Sequence, residues 1–315
     1  MLTLARFTLK GPYYAATIVG VLAMIAVVFP AISTNPLLGA IAAVALTYMS
    51  GALVGLIILT QGIQSGLKAI VASLLGITLI ASLLLKAPEL GITIGFVQWL
   101  PIVVLAQSLR TTNSLAMTLI AGVALGFIAI LAQQLFWPEL EANWQAAIRQ
   151  SMAQSMDGVP QSEQYNSADL SEQIRVMMRW LVLALVPSLF IVYLTIVLIA
   201  RRTQARLAGS DGFRREFLGL ALGKPASMAA LVLVALSLVL KMDWLSSLAI
   251  LVAAAFLIQG VAVVHAKLLT RPMLAGLYYM LLLIIPHVMG LTVIAGILDN
   301  WLNFRKSGKK EDSQD

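Results

Sequence analysis

Four side chains sit where apolar runs should carry them deep into a membrane: Gln98, Trp99, Gln259 and His287. Gln98 and Trp99 precede Pro101, Gln259 adjoins Gly260, and His287 follows Pro286. Amides at such depth bond neighbouring helices or a ligand, and an imidazole can carry a proton near neutral pH. Prolines 101, 187 and 286 each remove a backbone donor and free the carbonyl four residues earlier, at Val97, Leu183 and Leu282. Kinks of this kind open cavities in transporters. The four residues are therefore expected to line a small-molecule cavity, with the stretch from Phe256 to Arg305 as one wall. The plainer expectation for Gln98 and Gln259 is interhelical glue, worth about 0.6 to 2 kcal/mol.

Catalytic chemistry finds no foothold. The chain has no H-E-x-x-H, no G-x-S-x-G, no Walker loop and no intramembrane pair of acids. Its two histidines, His265 and His287, lack nearby thiols or carboxylates that would complete a metal site. No catalytic residue, metal or cofactor is expected.

Composition sets the frame for these residues. Hydrophobic residues make up 60% of the 315, charged ones 11%, and mean hydropathy is +0.93. Unbroken apolar runs predict an all-α, polytopic transmembrane bundle, since a β-barrel would alternate apolar and polar positions over ~10 residues. With no cysteine there are no disulfides and no thiolate chemistry. A net charge of +7 points to membrane orientation and anionic lipid rather than nucleic acid.

Candidate spans are 12 to 32, 36 to 60, 65 to 85, 90 to 109, 114 to 136, 177 to 200, 226 to 241, 245 to 267 and 273 to 297, which makes nine, or eight if the short run 226 to 241 is re-entrant. The run at 12 to 32 is too long for a signal peptide and reads as a retained helix. All belong to one integral membrane domain, 1 to 315.

Two connections set the orientation. Residues 137 to 175 carry six acids against Arg149 and Arg175, whereas 201 to 224 carry six bases against Asp211 and Glu216. By the positive-inside rule the second is cytoplasmic, the first extracytoplasmic and the N-terminus cytoplasmic. Nine spans would put the polar tail 305 to 315, with Arg305, Lys306, Lys309 and Lys310, on the outer side, against that rule.

Both connections carry short helices. Phe136, Leu140, Trp144, Ile148, Met152 and Met156 form an apolar stripe opposite Glu139, Asn143 and Gln150, as expected of a helix covering the bundle or serving as a substrate lid. Gly158 and Pro160 should end it. In the basic connection Ser210 or Asp211 can cap a helix bearing Phe213, Phe217 and Leu220 on one side and Arg214 and Arg215, placed to meet anionic lipid, on the other.

Gly-x-x-x-Gly recurs at 51/55, 62/66, 91/95, 122/126 and 219/223. Three of these pairs lie within candidate spans, where they should let helices pack closely. Asp299, near the interface, can pair with Arg305 or Lys306.

The segments FRREFLGLALGKP, FLIQGVAVVHAKL and ILDNWLNFRKS resemble the YybS-like family of bacterial polytopic membrane proteins. The residues that carry the likeness are Phe213, Arg214 and Pro225; Gln259 and Gly260; and Leu298, Asp299, Trp301 and Arg305. The likeness covers the last ~100 residues well and the first 140 mainly in hydropathy. That family is distantly similar to the S-components of energy-coupling factor transporters. The resemblance implies a bacterial inner-membrane location, an S-component-like core with a ligand cavity, and a cytoplasmic or membrane partner. The nearest match to an Ala-x-x-x-Ala docking motif is Ala16 to Gly20. The leading expectation is a non-enzymatic protein that binds or moves a small solute. The alternatives are a scaffold acting through its loops and, third, an intramembrane enzyme.

Overall fold

A computed structural model describes residues 2 to 84, 86 to 156 and 167 to 305. The described residues are helical almost throughout, and they fold as an all-α polytopic bundle. The helices are α1 (Leu2–Thr8), α2 (Pro12–Ile32), α3 (Pro36–Gln61), α4 (Ile63–Leu84), α5 (Glu89–Thr93), α6 (Leu100–Thr112), α7 (Leu115–Phe136), α8 (Leu140–Met156), α9 (Ser167–Leu207), α10 (Gly212–Leu218), α11 (Lys224–Leu240), α12 (Asp243–Leu268), α13 (Pro272–Ile284) and α14 (Pro286–Leu302). A π-helical turn, Ile94–Trp99, joins α5 to α6. Among the described residues, seven helical segments are long and apolar enough to cross a bilayer. The 17-residue α11, ~25 Å long at 1.5 Å per residue, also links one face of the bundle to the other.

The core has two centres. In α3 every residue from Ser50 to Leu59 is buried, so this helix is enclosed on all sides, by α2, α4, α6 and α9. In the second half α12 plays that part, packed against α7, α9, α11 and α14. Glycines allow the contact: Gly51 and Gly55 admit Ile102, Ile196 and Ala200, while Gly122 and Gly126 admit Phe190 and Leu251. The Gly-x-x-x-Gly pairs within spans thus serve packing inside the chain.

Side-chain bonds sort the loops onto two faces. On one, Gln61 Nε2 donates to the Leu9 carbonyl (2.9 Å), Arg110 to that of Ile58 (2.7 Å) and Gln204 Nε2 to that of Leu59 (3.0 Å), with the Arg201–Glu216 pair alongside. This face holds the basic connection. At the opposite face Arg179 pairs with Asp243 (2.8 Å) and Arg175 with Glu172 (2.6 Å). There α8 rests on α9, with Leu140, Trp144 and Ile148 half-buried and Asn143 and Gln150 exposed. The side chains of Met152 and Met156, and the stop at Gly158 and Pro160, lie outside the described residues.

The run 273 to 297 is not a straight crossing. It breaks at Ile285 into α13 and α14, with a bend of 114° between them. Pro286 cannot donate to Leu282, and a residue preceding proline is driven out of the helical region; Ile285 accordingly sits at φ −112°, ψ 107°. The two arms fold towards each other, with the Tyr278 and Thr292 hydroxyls 3.2 Å apart. The first arm leaves the basic face, where His265 Nδ1 meets the Tyr279 hydroxyl at 2.9 Å. The second returns there: Asn300 Oδ1 accepts from the Gly223 N–H (2.9 Å) and Arg305 reaches the Leu218 and Leu220 carbonyls. Both ends of the bent pair lie beside the basic face, as in a re-entrant loop and unlike the straight ninth span expected, while α11, the run left open between a span and a re-entrant segment, is one continuous helix of 17 residues. Asn303 to Arg305 therefore lie on the basic face; Lys306, Lys309 and Lys310 fall outside the described residues.

Two further expectations change. Asp211 occupies the N-cap position of α10, but neither it nor Ser210 caps the helix through its side chain. The carbonyls freed by two prolines are not left open, because neighbouring helices capture them, yet cavities lie beside both kinks: one of about 250 Å³ is lined by Val97, Pro101 and Tyr193, and another is bordered by Leu183. The Tyr193 hydroxyl donates to Val97, and Ser247 Oγ donates to Leu183 at 2.8 Å.

The hairpin is locked by a crossing of Gly260 and Gly296. A Cβ on Gly260 would collide with the Thr292 carbonyl, and one on Gly296 with that of Phe256. Gly260→Ala should destabilise the protein by about 1 to 3 kcal/mol through overpacking, read as a lower unfolding midpoint in detergent, while Gly276→Ala, with nothing within 4 Å, should not. A cysteine at Leu302, exposed at the end of α14, should share the labelling side of one at Arg214 and differ from one at Asn143.

Candidate functional site

The four residues expected to share a cavity are not brought together. Gln98 turns to α3, where its Nε2 donates to the Thr47 carbonyl at 3.2 Å. Trp99 is fully buried and lines an apolar cleft of about 310 Å³ with Leu67, Leu74, Gly91, Gly95 and Val103. Gln259 is also fully buried, and its Oε1 accepts from the Leu222 N–H (2.9 Å) at the far end of the molecule. His287 is exposed at the hairpin tip and faces away from the bundle. The glue expectation describes Gln98 and Gln259. The shared cavity fails because each amide has a neighbouring backbone group to satisfy, and Pro286 turns His287 outward.

Of the residues that carried the family likeness, Gln259, Gly260, Asp299 and Arg305 do converge. They surround the stretch Gly219 to Gly223, a non-helical backbone segment between α10 and α11. In hydrocarbon such a segment needs partners for its backbone groups. Gln259 takes the Leu222 N–H, Asn300 the Gly223 N–H, and Arg305 donates to the Leu218 and Leu220 carbonyls. Asp299 Oδ2 holds the guanidinium at 2.8 Å, and Asn300 Nδ2 also reaches Ser227 Oγ at 2.8 Å. The other likeness residues lie around this junction. Phe213 stacks on Phe217 with ring centroids 5.9 Å apart, Phe217 meets the edge of His265, Arg214 is exposed, Pro225 opens α11, and Trp301 is partly exposed on α14. The junction clamps the chain, with Gln259 Nε2, Asp299 Oδ1 and Arg305 Nε buried and without a partner among the described residues.

A wider space lies elsewhere, where α9 and α11 flank α12 with little contact between them. Small residues of α12, Ser246, Ala249 and Ala253, floor a cleft of about 540 Å³. Val176, Trp180 and Leu183 form one wall, and Val234, Ser237 and Leu238 the other. Arg175 and Arg179 stand at its mouth on the acidic face. Beneath α8 is a polar pocket of about 90 Å³, lined by Gln133, Gln134, Glu141, Arg179 and Asp243. Arg179 and Leu183 border both spaces, so the polar pocket adjoins the apolar cleft.

This composite site escapes sequence reading because it depends on which helices fail to meet. The visible signal is only the small, weakly polar face of α12, and such faces usually pack against another helix. Among the described residues no group of three His, Asp or Glu side chains could hold a metal ion. No protein-family model matches the sequence, and neither a curated protein nor a solved structure is similar to it.

The clamp makes a direct prediction. Asp299 is 5% exposed, so Arg305→Ala would leave a buried carboxylate unpaired and two carbonyls without donors, at a cost of about 3 to 5 kcal/mol. The unfolding midpoint should fall accordingly, and Arg305→Lys should recover only part of the loss, because an ammonium lacks the fork that spans three acceptors.

Proposed function

We propose that this chain is a multi-pass membrane protein that binds or moves a small amphiphilic molecule, taken up sideways from the bilayer. The observation that carries the reading is the junction at Arg179 of a polar pocket with an apolar cleft of about 540 Å³. A single acyl or isoprenoid chain suits the cleft, whose walls are aliphatic apart from Trp180 and two serines. A head group bearing both hydrogen-bonding and charged atoms suits the pocket, which offers amides, a carboxylate and the Arg179–Asp243 pair. Nearer the basic face the buried polar groups mostly hold the backbone of Gly219 to Gly223, with Gln259 Nε2, Asp299 Oδ1 and Arg305 Nε left without a partner among the described residues.

In this reading the protein lies in a bacterial inner membrane with its N-terminus and basic face in the cytoplasm. Arg214 and Arg215, exposed on α10 beside the Phe213–Phe217 stack, rest on anionic headgroups. An S-component-like mode, in which a partner docks on the cytoplasmic side, belongs to the same proposal. The scaffold reading is favoured by one observation, the concentration of exposed bases on that face.

Binding of a fluorescent single-chain amphiphile to the protein in nanodiscs tests the site. Ala253→Trp fills the cleft floor and should weaken binding by about tenfold or more, an effect of ~1.4 kcal/mol. The same change at Leu75, an exposed position on α4, should leave binding intact. Equal affinity in wild type and Ala253→Trp would reject the site.

A further inference from the structure

We propose that the molecule taken up by the amphiphile site carries a zwitterionic head group, its anion at the mouth of the cleft and a primary ammonium in the polar pocket. The inference rests on the amphiphile reading and adds the head-group chemistry that the lining selects. Two adjoining spaces offer a ligand opposite hydrogen-bonding surfaces. The cleft offers donors. Among the described residues its charged lining is Arg175 and Arg179, four positions apart on α9 and so neighbours on one side of that helix. Glu172 takes Nε and Nη2 of Arg175, Asp243 takes Nη2 of Arg179, and neither carboxylate lines the cleft. That leaves Nη1 of Arg175, and Nε and Nη1 of Arg179, without a partner among the described residues. The Ser237 and Ser246 hydroxyls donate to the carbonyls of Val234 (2.8 Å) and Met242 (3.2 Å), so the guanidiniums are the donors left for a ligand. Two such forks suit the oxygens of a phosphate.

The pocket offers acceptors. Glu141 and Asp243 line it beside Gln133 and Gln134, and Arg179 is the cation among its described lining residues. Glu141 lies within electrostatic reach of Arg175 but forms no ion pair among the described residues; its Oε1 accepts from Gln145 Nε2 at 2.9 Å. Oε2 of Glu141 and Oδ2 of Asp243 accept nothing there. Two carboxylates against one guanidinium leave the pocket an excess negative charge, which an ammonium with its three donors would balance. At about 30 Å³ per water in the liquid, a pocket of about 90 Å³ holds roughly three heavy atoms, the size of an aminoethyl group.

Neither charge alone fits as well. A purely anionic head would meet arginines already paired with Glu172 and Asp243, and would stand beside Glu141. A purely cationic one would meet those arginines at the mouth. Because Arg179 borders both spaces, an anion and an ammonium joined by a short linker reach their partners together. A single-chain aminophospholipid has that chemistry.

The test is competition between palmitoyl lysophospholipids and the fluorescent amphiphile on the protein in phosphatidylcholine nanodiscs. Lysophosphatidylethanolamine should displace it at about tenfold lower concentration, ~1.4 kcal/mol, than either of two relatives. One is lysophosphatidylcholine, whose quaternary ammonium has no N–H; the other is lysophosphatidic acid, which has no ammonium. Glu141→Gln should remove most of that preference, and Arg175→Gln should weaken all three. Glu141 is half-buried and Arg175 exposed, so an unchanged unfolding midpoint in each variant separates loss of binding from loss of fold. Equal displacement by the three lipids, or a full preference surviving Glu141→Gln, would overturn the zwitterion assignment; if Ala253→Trp still weakened binding, the amphiphile site itself would stand. Indifference of every lipid to Ala253→Trp would overturn both.

Discussion

A backbone amide or carbonyl inside hydrocarbon has no solvent to fall back on, and that constraint organises this molecule. Each departure from regular helix creates a debt of hydrogen bonds, and most departures are met by a side chain from a different helix. Pro101 frees Val97, which Tyr193 of α9 captures; Pro187 frees Leu183, which Ser247 of α12 captures. The unwound stretch from Gly219 to Gly223 is held by Gln259, Asn300 and Arg305. Polar residues are scarce in the chain, so nearly every buried one can be assigned to a backbone group.

That assignment explains what can be read from the sequence. Helix positions are legible because apolar runs of bilayer length leave few alternatives, and proline and asparagine mark their ends, as where Asn35 caps α3 at Leu37 and Leu38. The depth of Gln98 and Gln259 is equally legible. Their purpose is not. A sequence shows that a proline frees a carbonyl but not which distant hydroxyl lies opposite, and Tyr193 is 96 residues from Val97. The re-entrant segment is misjudged when length is weighed above chemistry: 226 to 241 is short yet continuous, whereas 273 to 297 is long and carries a proline that cannot be accommodated in a straight helix.

The space used by the proposed function lies where packing is incomplete. Around α3 the interior is solid, and the cleft beside the π-helical turn is small and apolar. Between α9 and α11 the helices part over the small side chains of α12, and the gap meets a polar chamber under α8. Burial of hydrogen-bonding groups on the basic side and their concentration around an opening on the other give the bundle a polarity that matches its charge asymmetry. The amphipathic helix α8 lies over the polar pocket, which Leu140 and Glu141 help to line.

The sealing of broken backbone by side chains is tested most directly by hydrogen–deuterium exchange in nanodiscs across residues 218 to 225. The Leu222 and Gly223 amides, outside any helix yet held by Gln259 and Asn300, should exchange as slowly as amides in the middle of α12, and Asn300→Ala should release Gly223 selectively. Fast exchange at both amides in the wild-type protein, comparable to that of the exposed α8, would contradict it.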